Sequence, residues 1–285
     1  MSYDLFFKPR SERFSLDSFL GFLRSVPRFK FEEDRILYEN EDTEVYFVLH
    51  CDPEGFGDSV EFPIHVAINY LRPTIFIMEI SLVLTELVEK FGFIVSDDQI
   101  EGMGEGNFDP QKLVRAWIHC NQLSIRSFPG AKQSFSMPTS KLGYIWRWNM
   151  FKGSLQEELG EASYVPRIMT FAVEGELKSA VCWGDGHPWV FPRVDRVLVI
   201  RKELAPSGLI GTTEDAVMVS RESVLQVLAP YGKVRGDGTF VTDYSHPPPA
   251  VVEFVKSLPV ESKKLEGIAI EGILDRELMD FSTED

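Results

Sequence analysis

The chain of 285 residues has the composition of a folded protein: 44% of its residues are hydrophobic, 12% are aromatic and 26% are charged. Such a chain can bury a large core, which excludes wholesale disorder, collagen-like repeats and disulfide-dense miniproteins. The formal net charge is −15 at pH 7. Because nucleic-acid phosphates are bound by clustered Lys and Arg, this charge argues against nucleic acid as a partner.

The cysteines and the N-terminal residues favour the cytoplasm. The chain has three cysteines, Cys51, Cys120 and Cys182. They are odd in number and far apart in the sequence, so they predict no disulfide framework. Asp4 stands where a signal peptide needs basic residues, and no apolar signal core follows it. The most apolar stretch, 74–88, contains Glu79 and Glu86 and is too short to span a bilayer, so we expect a buried helix there and no membrane partner.

The first third of the chain predicts an α+β fold. In chain order we expect a strand at 3–8, a helix at 15–26, hairpin strands at 35–38 and 44–49, a strand at 61–70, a helix at 73–90 and a strand at 93–95. Ser15 is a suitable N-cap for the first helix, and Gly92 is a suitable stop for the second. Helices should therefore pack on one face of a mostly antiparallel sheet.

Residues 111–143 are expected to connect two subdomains. Asp109 and Pro110 begin a predicted helix, whereas 127–141 is rich in Ser, Pro, Gly and Lys and shows no periodicity, as is typical of a linker. We therefore divide the chain into an acidic α+β subdomain at 1–110, a bridging helix and linker at 111–143, and a second subdomain at 144–285. The second subdomain should contain a helix at 144–159, a three-stranded antiparallel meander at 167–202, and further helices.

Negative charge is concentrated in the first part of the chain. Residues 1–110 contain 9 basic and 22 acidic residues, and the window 32–61 holds 11 acids with Arg35 as its one base. Such a surface either keeps a protein in solution or docks a basic partner, whose association it accelerates. The residues that we predict to bind such a partner are Glu39, Glu41, Asp42, Glu44, Asp52, Glu54 and Asp58.

An enzyme of unknown class is the first alternative. The segment from Cys182 to Trp189 contains Asp185 and His187, and an Asp–His pair can orient an imidazole for general-base catalysis. The sequence Asp-Gly is also typical of a tight turn, and no nucleophile motif accompanies it.

Neither metal nor cofactor is expected. The segment 97–105 is similar to a calcium loop, with Gly102 at the sixth position, but Phe108 occupies the twelfth position, where a carboxylate ligand is needed. The five histidines are scattered, without the spacing of a zinc site.

Two aromatic segments leave a second alternative open. Residues 144–149 (Tyr-Ile-Trp-Arg-Trp-Asn) resemble a stacking platform for single strands, although a packed helix is the interpretation that the scarcity of nearby cations favours. Trp183, Trp189 and Phe191 could instead form an exposed interface. A protein with such an interface would be a scaffold or a regulatory subunit.

Short stretches in both halves carry a resemblance. They are Tyr3–Phe7, Tyr38–Thr43, Trp183–Gly186 and Phe191–Asp195. In these stretches the chain resembles uncharacterised bacterial cytosolic proteins. The resemblance implies a cytosolic protein of the type that confers immunity to polymorphic toxins. The acidic surface then predicts that a neutralised toxin would be basic.

Overall fold

The computed structural model describes residues 1–52, 62–205, 215–259 and 265–279, which form two compact units. Unit 1 comprises Met1–Leu142 and Ile270–Asp285, and unit 2 comprises Gly143–Ala269. The fold is α+β, with mostly antiparallel sheets, as predicted.

The strands of the described residues are, in chain order, β1 (Ser2–Pro9), β2 (Phe29–Phe31), β3 (Ile36–Asn40), β4 (Val45–Cys51), β5 (Ile64–Asn69), β6 (Phe93–Ser96), β7 (Phe135–Met137), β8 (Met169–Val173), β9 (Glu176–Gly184), β10 (Val190–Phe191), β11 (Arg196–Arg201), β12 (Asp215–Ser220), β13 (Gly232–Val234), β14 (Phe240–Thr242), β15 (Glu266–Gly267) and β16 (Ile273–Asp275). The helices are α1 (Leu16–Ser25), α2 (Ile75–Phe91), α3 (Pro110–Ser127), α4 (Thr139–Leu159), α5 (Arg221–Leu228), α6 (Pro249–Ser257) and α7 (Arg276–Met279).

Unit 1 is built on an antiparallel sheet with the strand order β2-β3-β4-β5-β1-β6. Along β1, β4 and β5 the side chains alternate between buried and half-buried, as expected when one face packs on the core and the other meets solvent. Leu84, Leu87 and Val88 of α2 lie against the buried face, together with Leu49 and Val66 of the sheet. The sequence prediction of helices on one face of an antiparallel sheet is therefore confirmed.

The predicted ends of the first two helices are also confirmed. The Ser15 hydroxyl accepts a hydrogen bond from the Ser18 N–H (3.3 Å) at the start of α1. Gly92 ends α2 in the left-handed conformation (φ 66°), which a residue without a Cβ adopts at little cost. Within the described residues, no helix has both the length and the apolar character needed to cross a membrane.

The stretch that the sequence predicts to be a linker, 127–141, is ordered. It contains a short 3₁₀ turn followed by β7, and β7 pairs in parallel with β16. The carboxylate of Asp275, at the end of β16, is fully buried and accepts hydrogen bonds from the N–H and the hydroxyl of Thr74 (both 2.7 Å). Residues 270–279 therefore belong to unit 1, and α3, which the sequence predicts to bridge two subdomains, lies within the same unit.

Unit 2 contains a sheet with the strand order β12-β11-β9-β8-β15 and a smaller one with the order β10-β14-β13. The hairpin of β8 and β9 is antiparallel, as predicted, but β9 and β11 are parallel. The prediction of an antiparallel meander is therefore wrong at its third strand. Between β9 and β11 the chain leaves the sheet to form β10, which pairs with β14, and it then returns in the direction of β9.

Candidate functional site

The carboxylates predicted to form one binding face lie at two ends of the unit 1 sheet. Glu39, Glu41, Asp42 and Glu44 lie in or beside the turn between β3 and β4, whereas Asp52 follows the far end of β4. A strand of seven residues, at about 3.3 Å per residue, separates the two groups by about 20 Å. The other two predicted residues, Glu54 and Asp58, lie outside the described residues.

The first group, together with Glu271 of the C-terminal segment, forms a surface that we call the acidic end: Glu39, Glu41, Asp42, Glu44 and Glu271. Lys30 of β2 forms ion pairs with Glu39 (2.7 Å) and Glu41 (3.1 Å). These hydrogen bonds, the one to Glu39 first, raise the pKa of the Lys30 ammonium. The Glu41 side chain remains 79% exposed, so it is available to a partner in spite of its ion pair.

A buried carboxylate beneath the acidic end fixes the turn. Glu79 of α2 is fully buried and accepts hydrogen bonds from the Asn40 amide (2.7 Å) and the Tyr38 hydroxyl (3.0 Å). The side-chain oxygen of Asn40 in turn accepts from the Asp42 N–H (3.2 Å). Burial, followed by the charge of Glu79, raises the pKa of Tyr38. The turn that presents Glu41 and Asp42 is therefore anchored to the core.

The C-terminal segment contributes Glu271 to the acidic end, which sequence reasoning missed. Glu44 accepts a hydrogen bond from the Ile270 N–H (2.6 Å), and the Tyr46 hydroxyl donates to Glu271 (2.7 Å). Arg72 donates to the Tyr46 oxygen (2.7 Å) and lies 3.3 Å from Glu271. Glu44 therefore has a structural role as well, and no local pattern links residues so far apart in the sequence.

The alternative catalytic pair is arranged as a turn. Asp185, with φ 44°, accepts hydrogen bonds from the backbone N–H groups of Lys202, Glu203 and Leu204 (3.0–3.2 Å). The His187 side chain is exposed, and its backbone carbonyl accepts from the Trp183 indole (2.8 Å). The Asp185 carboxylate thus holds the chain after β11 through hydrogen bonds with backbone N–H groups and not with the imidazole of His187.

The calcium-like loop is organised by one buried carboxylate. Asp97 is 1% exposed and accepts hydrogen bonds from the Tyr3 hydroxyl (2.8 Å) and the Met103 N–H (3.0 Å). A Cβ on Gly102 would lie 2.5 Å from an Asp97 oxygen, so the close turn requires glycine there. Among the described residues, no group of three or more His, Cys, Asp or Glu side chains could hold a metal ion.

A groove of about 340 Å³ lies on the surface of unit 2. Its lining from α4 consists of Tyr144, Arg147, Trp148, Phe151, Lys152 and Leu155, and two loops add Arg193 and Asp237. The aromatic segment noted in the sequence is therefore divided, because Trp146 is buried and Trp148 lines the groove. The face of α4 that contains Trp146 is therefore packed, as one interpretation predicts, and the face that contains Trp148 is an open aromatic surface, as the other predicts.

A half-buried hydrogen bond between His65 and Asp4 lies on the solvent-facing side of the unit 1 sheet. The His65 ring nitrogen Nε2 lies 2.8 Å from a carboxylate oxygen of Asp4, and the Ser2 hydroxyl donates to the same carboxylate. The hydrogen bond with His65, together with that from Ser2, lowers the pKa of Asp4 in spite of its partial burial.

This pKa shift predicts a pH dependence of stability. Because the folded-state pKa lies below the unfolded value, the contribution of Asp4 is present above about pH 4 and is lost as the pH falls through the lowered pKa. Asp4→Asn should therefore cost about 1 kcal/mol at pH 5 and progressively less towards pH 2.5, since the pair is partly exposed. Urea unfolding of both proteins at a series of pH values measures this difference. If the difference in the free energy of unfolding between the two proteins is the same at pH 5 and pH 2.5, the lowered pKa of Asp4 is contradicted.

Comparisons with protein families, with curated proteins and with solved structures found no match to the chain.

Proposed function

We propose that the protein acts by binding a basic protein partner, without catalysing a reaction, through the acidic end of unit 1. The single observation that carries the proposal is the gathering of Glu39, Glu41, Asp42, Glu44 and Glu271 at one end of the sheet. Within this surface Lys30 forms ion pairs with Glu39 and Glu41, and Arg72 forms one with Glu271.

The distribution of charge between the units supports the same proposal. The sequence of unit 1 contains 28 acidic and 15 basic residues, whereas that of unit 2 contains 16 and 14. A general need for solubility would not require this imbalance, whereas capture of a cation by one surface would exploit it. The finer proposal is that the protein is a cytoplasmic immunity or antitoxin protein, whose partner is a basic toxin that it neutralises by occlusion.

Charge reversal at the turn tests the proposal. Glu41→Lys/Asp42→Lys should reduce capture of a basic partner from lysate of the native host by about ten-fold at low salt, because it replaces attraction by repulsion. The Glu41 side chain is 79% exposed and neither residue is buried, so the variant should fold, which circular dichroism checks. The captured protein, identified by mass spectrometry, should be toxic when expressed alone and harmless when co-expressed with the wild-type chain.

The matched control is Glu86→Lys/Glu89→Lys, which makes the same change in net charge on exposed positions of α2. It should capture the partner as well as the wild type does. Equal loss in both variants would mean that overall charge matters and not the acidic end. A partner that both variants retain at full yield would place the binding surface elsewhere.

The alternative of an acid–base enzyme at Asp185 and His187 receives no support from the geometry, because backbone amides surround the carboxylate. If His187→Ala keeps the full activity of the protein, a catalytic site at this histidine is excluded.

A further inference from the structure

The helix α4 presents a second apolar and cationic stripe in addition to its buried face. The side chains that line the groove follow the i, i+3, i+4 spacing of one helix face: Tyr144, Arg147, Trp148, Phe151, Lys152 and Leu155. Ile145 and Asn149 are buried on other faces of the helix. Phe151 is 60% exposed, so an aromatic ring that would ordinarily be covered stands open at this groove.

Two rings and one cation of the groove are held in place by their neighbours. The Tyr144 oxygen accepts a hydrogen bond from the Arg193 N–H (2.9 Å), and the Arg193 guanidinium lies 4.7 Å from the centre of the Tyr144 ring. The Trp148 indole donates to the carbonyl of Pro166 (2.7 Å), which fixes the orientation of its ring. At these three side chains a ligand would therefore meet a preformed surface, which lowers the entropic cost of binding.

Arg221 braces the two loops on the opposite side of the groove. Its guanidinium donates to the carbonyl of Phe191 (3.2 Å), two residues before Arg193, and to that of Gly238 (2.8 Å), the residue after Asp237. Burial lowers the pKa of this guanidinium, which nevertheless remains a cation. The Asp237 carboxylate accepts from the Thr239 N–H (2.9 Å), so its position at the rim is also fixed.

We propose that this groove binds a free nucleoside phosphate. Among the described residues that line it, Arg147, Lys152 and Arg193 give three cations and Asp237 gives one carboxylate, whereas the whole chain has a net charge of −15. Arginine guanidinium groups bind phosphate through paired hydrogen bonds, and exposed aromatic rings stack on nucleobases. The Asp237 carboxylate supplies an acceptor for a ribose hydroxyl or a ring amino group.

The size of the groove favours a single nucleotide over a long strand. Its volume of about 340 Å³ is near the lower limit of small-molecule sites. A strand-binding surface would need a longer track of positive charge, whereas these three cations surround one cleft. The site lies within unit 2, so the proposal is independent of the acidic end.

Titration of the full chain with AMP tests the proposal. Stacking beside Trp148 should quench part of the tryptophan emission saturably, and isothermal titration calorimetry should give the same dissociation constant. Phe151→Ala and Arg147→Glu should each weaken AMP binding by about ten-fold or more, since a stacked base or a phosphate contact is lost. Both side chains are exposed, and circular dichroism confirms that the variants are folded.

The control is Lys233→Glu, a charge reversal at an exposed position of β13 outside the groove lining. It should change AMP binding by less than about two-fold, as expected for a screened charge. The proposal is overturned if AMP shows no saturable binding up to about 5 mM, which corresponds to negligible affinity. It is also overturned if Lys233→Glu weakens AMP binding as much as Arg147→Glu does. Two further results would contradict the ligand class: inorganic phosphate that binds as tightly as AMP, or a short single-stranded oligonucleotide that binds far more tightly than AMP.

Discussion

Asp275→Ala is expected to lower the free energy of unfolding of unit 1 by about 3 kcal/mol. The Asp275 carboxylate is fully buried and accepts the N–H and the hydroxyl of Thr74, both at 2.7 Å, at the start of α2. Its removal leaves two buried donors without their charged acceptor, and hydrogen bonds to charged groups are among the strongest in proteins. Since β16 and Glu271 belong to the same segment, the loss should loosen the acidic end as well.

A matched control comes from an exposed copy of the same arrangement. Glu277 accepts the N–H and the hydroxyl of Thr139 (2.9 and 2.7 Å) at the start of α4, but in an exposed setting. Glu277→Ala should cost no more than about 1 kcal/mol, because water replaces the carboxylate. Urea unfolding followed by circular dichroism gives the size of each loss, and hydrogen exchange of the β7 and β16 amides locates it. Equal losses in the two variants would contradict the argument from burial.

Arg201→Leu is expected to destabilise unit 2 by about 4 kcal/mol. The Arg201 side chain is fully buried at the end of β11 and donates to the carbonyls of Val255 (3.1 Å), Leu258 (2.6 Å) and Pro259 (3.1 Å). These carbonyls lie at the C-terminal end of α6, where a cation also interacts favourably with the helix dipole. Leucine fills a similar place in the core but leaves all three carbonyls without this donor.

Arg201→Lys is the control, because it retains the charge but loses the planar set of donors. It should lose roughly half as much stability as Arg201→Leu does, since an ammonium group satisfies fewer of these carbonyls. Four of the five tryptophans lie in unit 2, so urea unfolding followed by tryptophan emission reports mainly on this unit. A loss below about 1 kcal/mol for Arg201→Leu would show that the carbonyls find other partners.

Local sequence patterns predicted the local structure well. The alternation along β5, the cap at Ser15 and the helix stop at Gly92 are each properties of a few neighbouring residues, and each is confirmed. The parallel pairing of β7 with β16 and of β9 with β11 was not predicted. Strand pairing is decided by packing between segments far apart in the sequence, about which the composition of 127–141 carries no information.

In the candidate sites, too, the sequence shows the local features but not the contacts between distant segments. The charge of the turn between β3 and β4 is visible in the sequence, and so are the aromatic residues of α4. The participation of Glu271 in the acidic end depends on the return of the C-terminal segment to Tyr46. The groove depends on two loops, at Arg193 and Asp237, that meet one face of α4 only in the folded chain. Proximity in the sequence suggests that Asp52 lies with the turn between β3 and β4, but the whole of β4 separates Asp52 from that turn.

The most direct test of the proposed function is the association rate constant of the purified chain with its captured partner at two ionic strengths. Stopped-flow measurements at about 20 mM and about 300 mM salt compare conditions in which exposed charges interact over long and short distances. The proposal predicts that added salt slows association of the wild type at least ten-fold, and that Glu41→Lys/Asp42→Lys is slow under both conditions. A rate that is the same at both salt concentrations, or a double variant that associates as fast as the wild type, would contradict it.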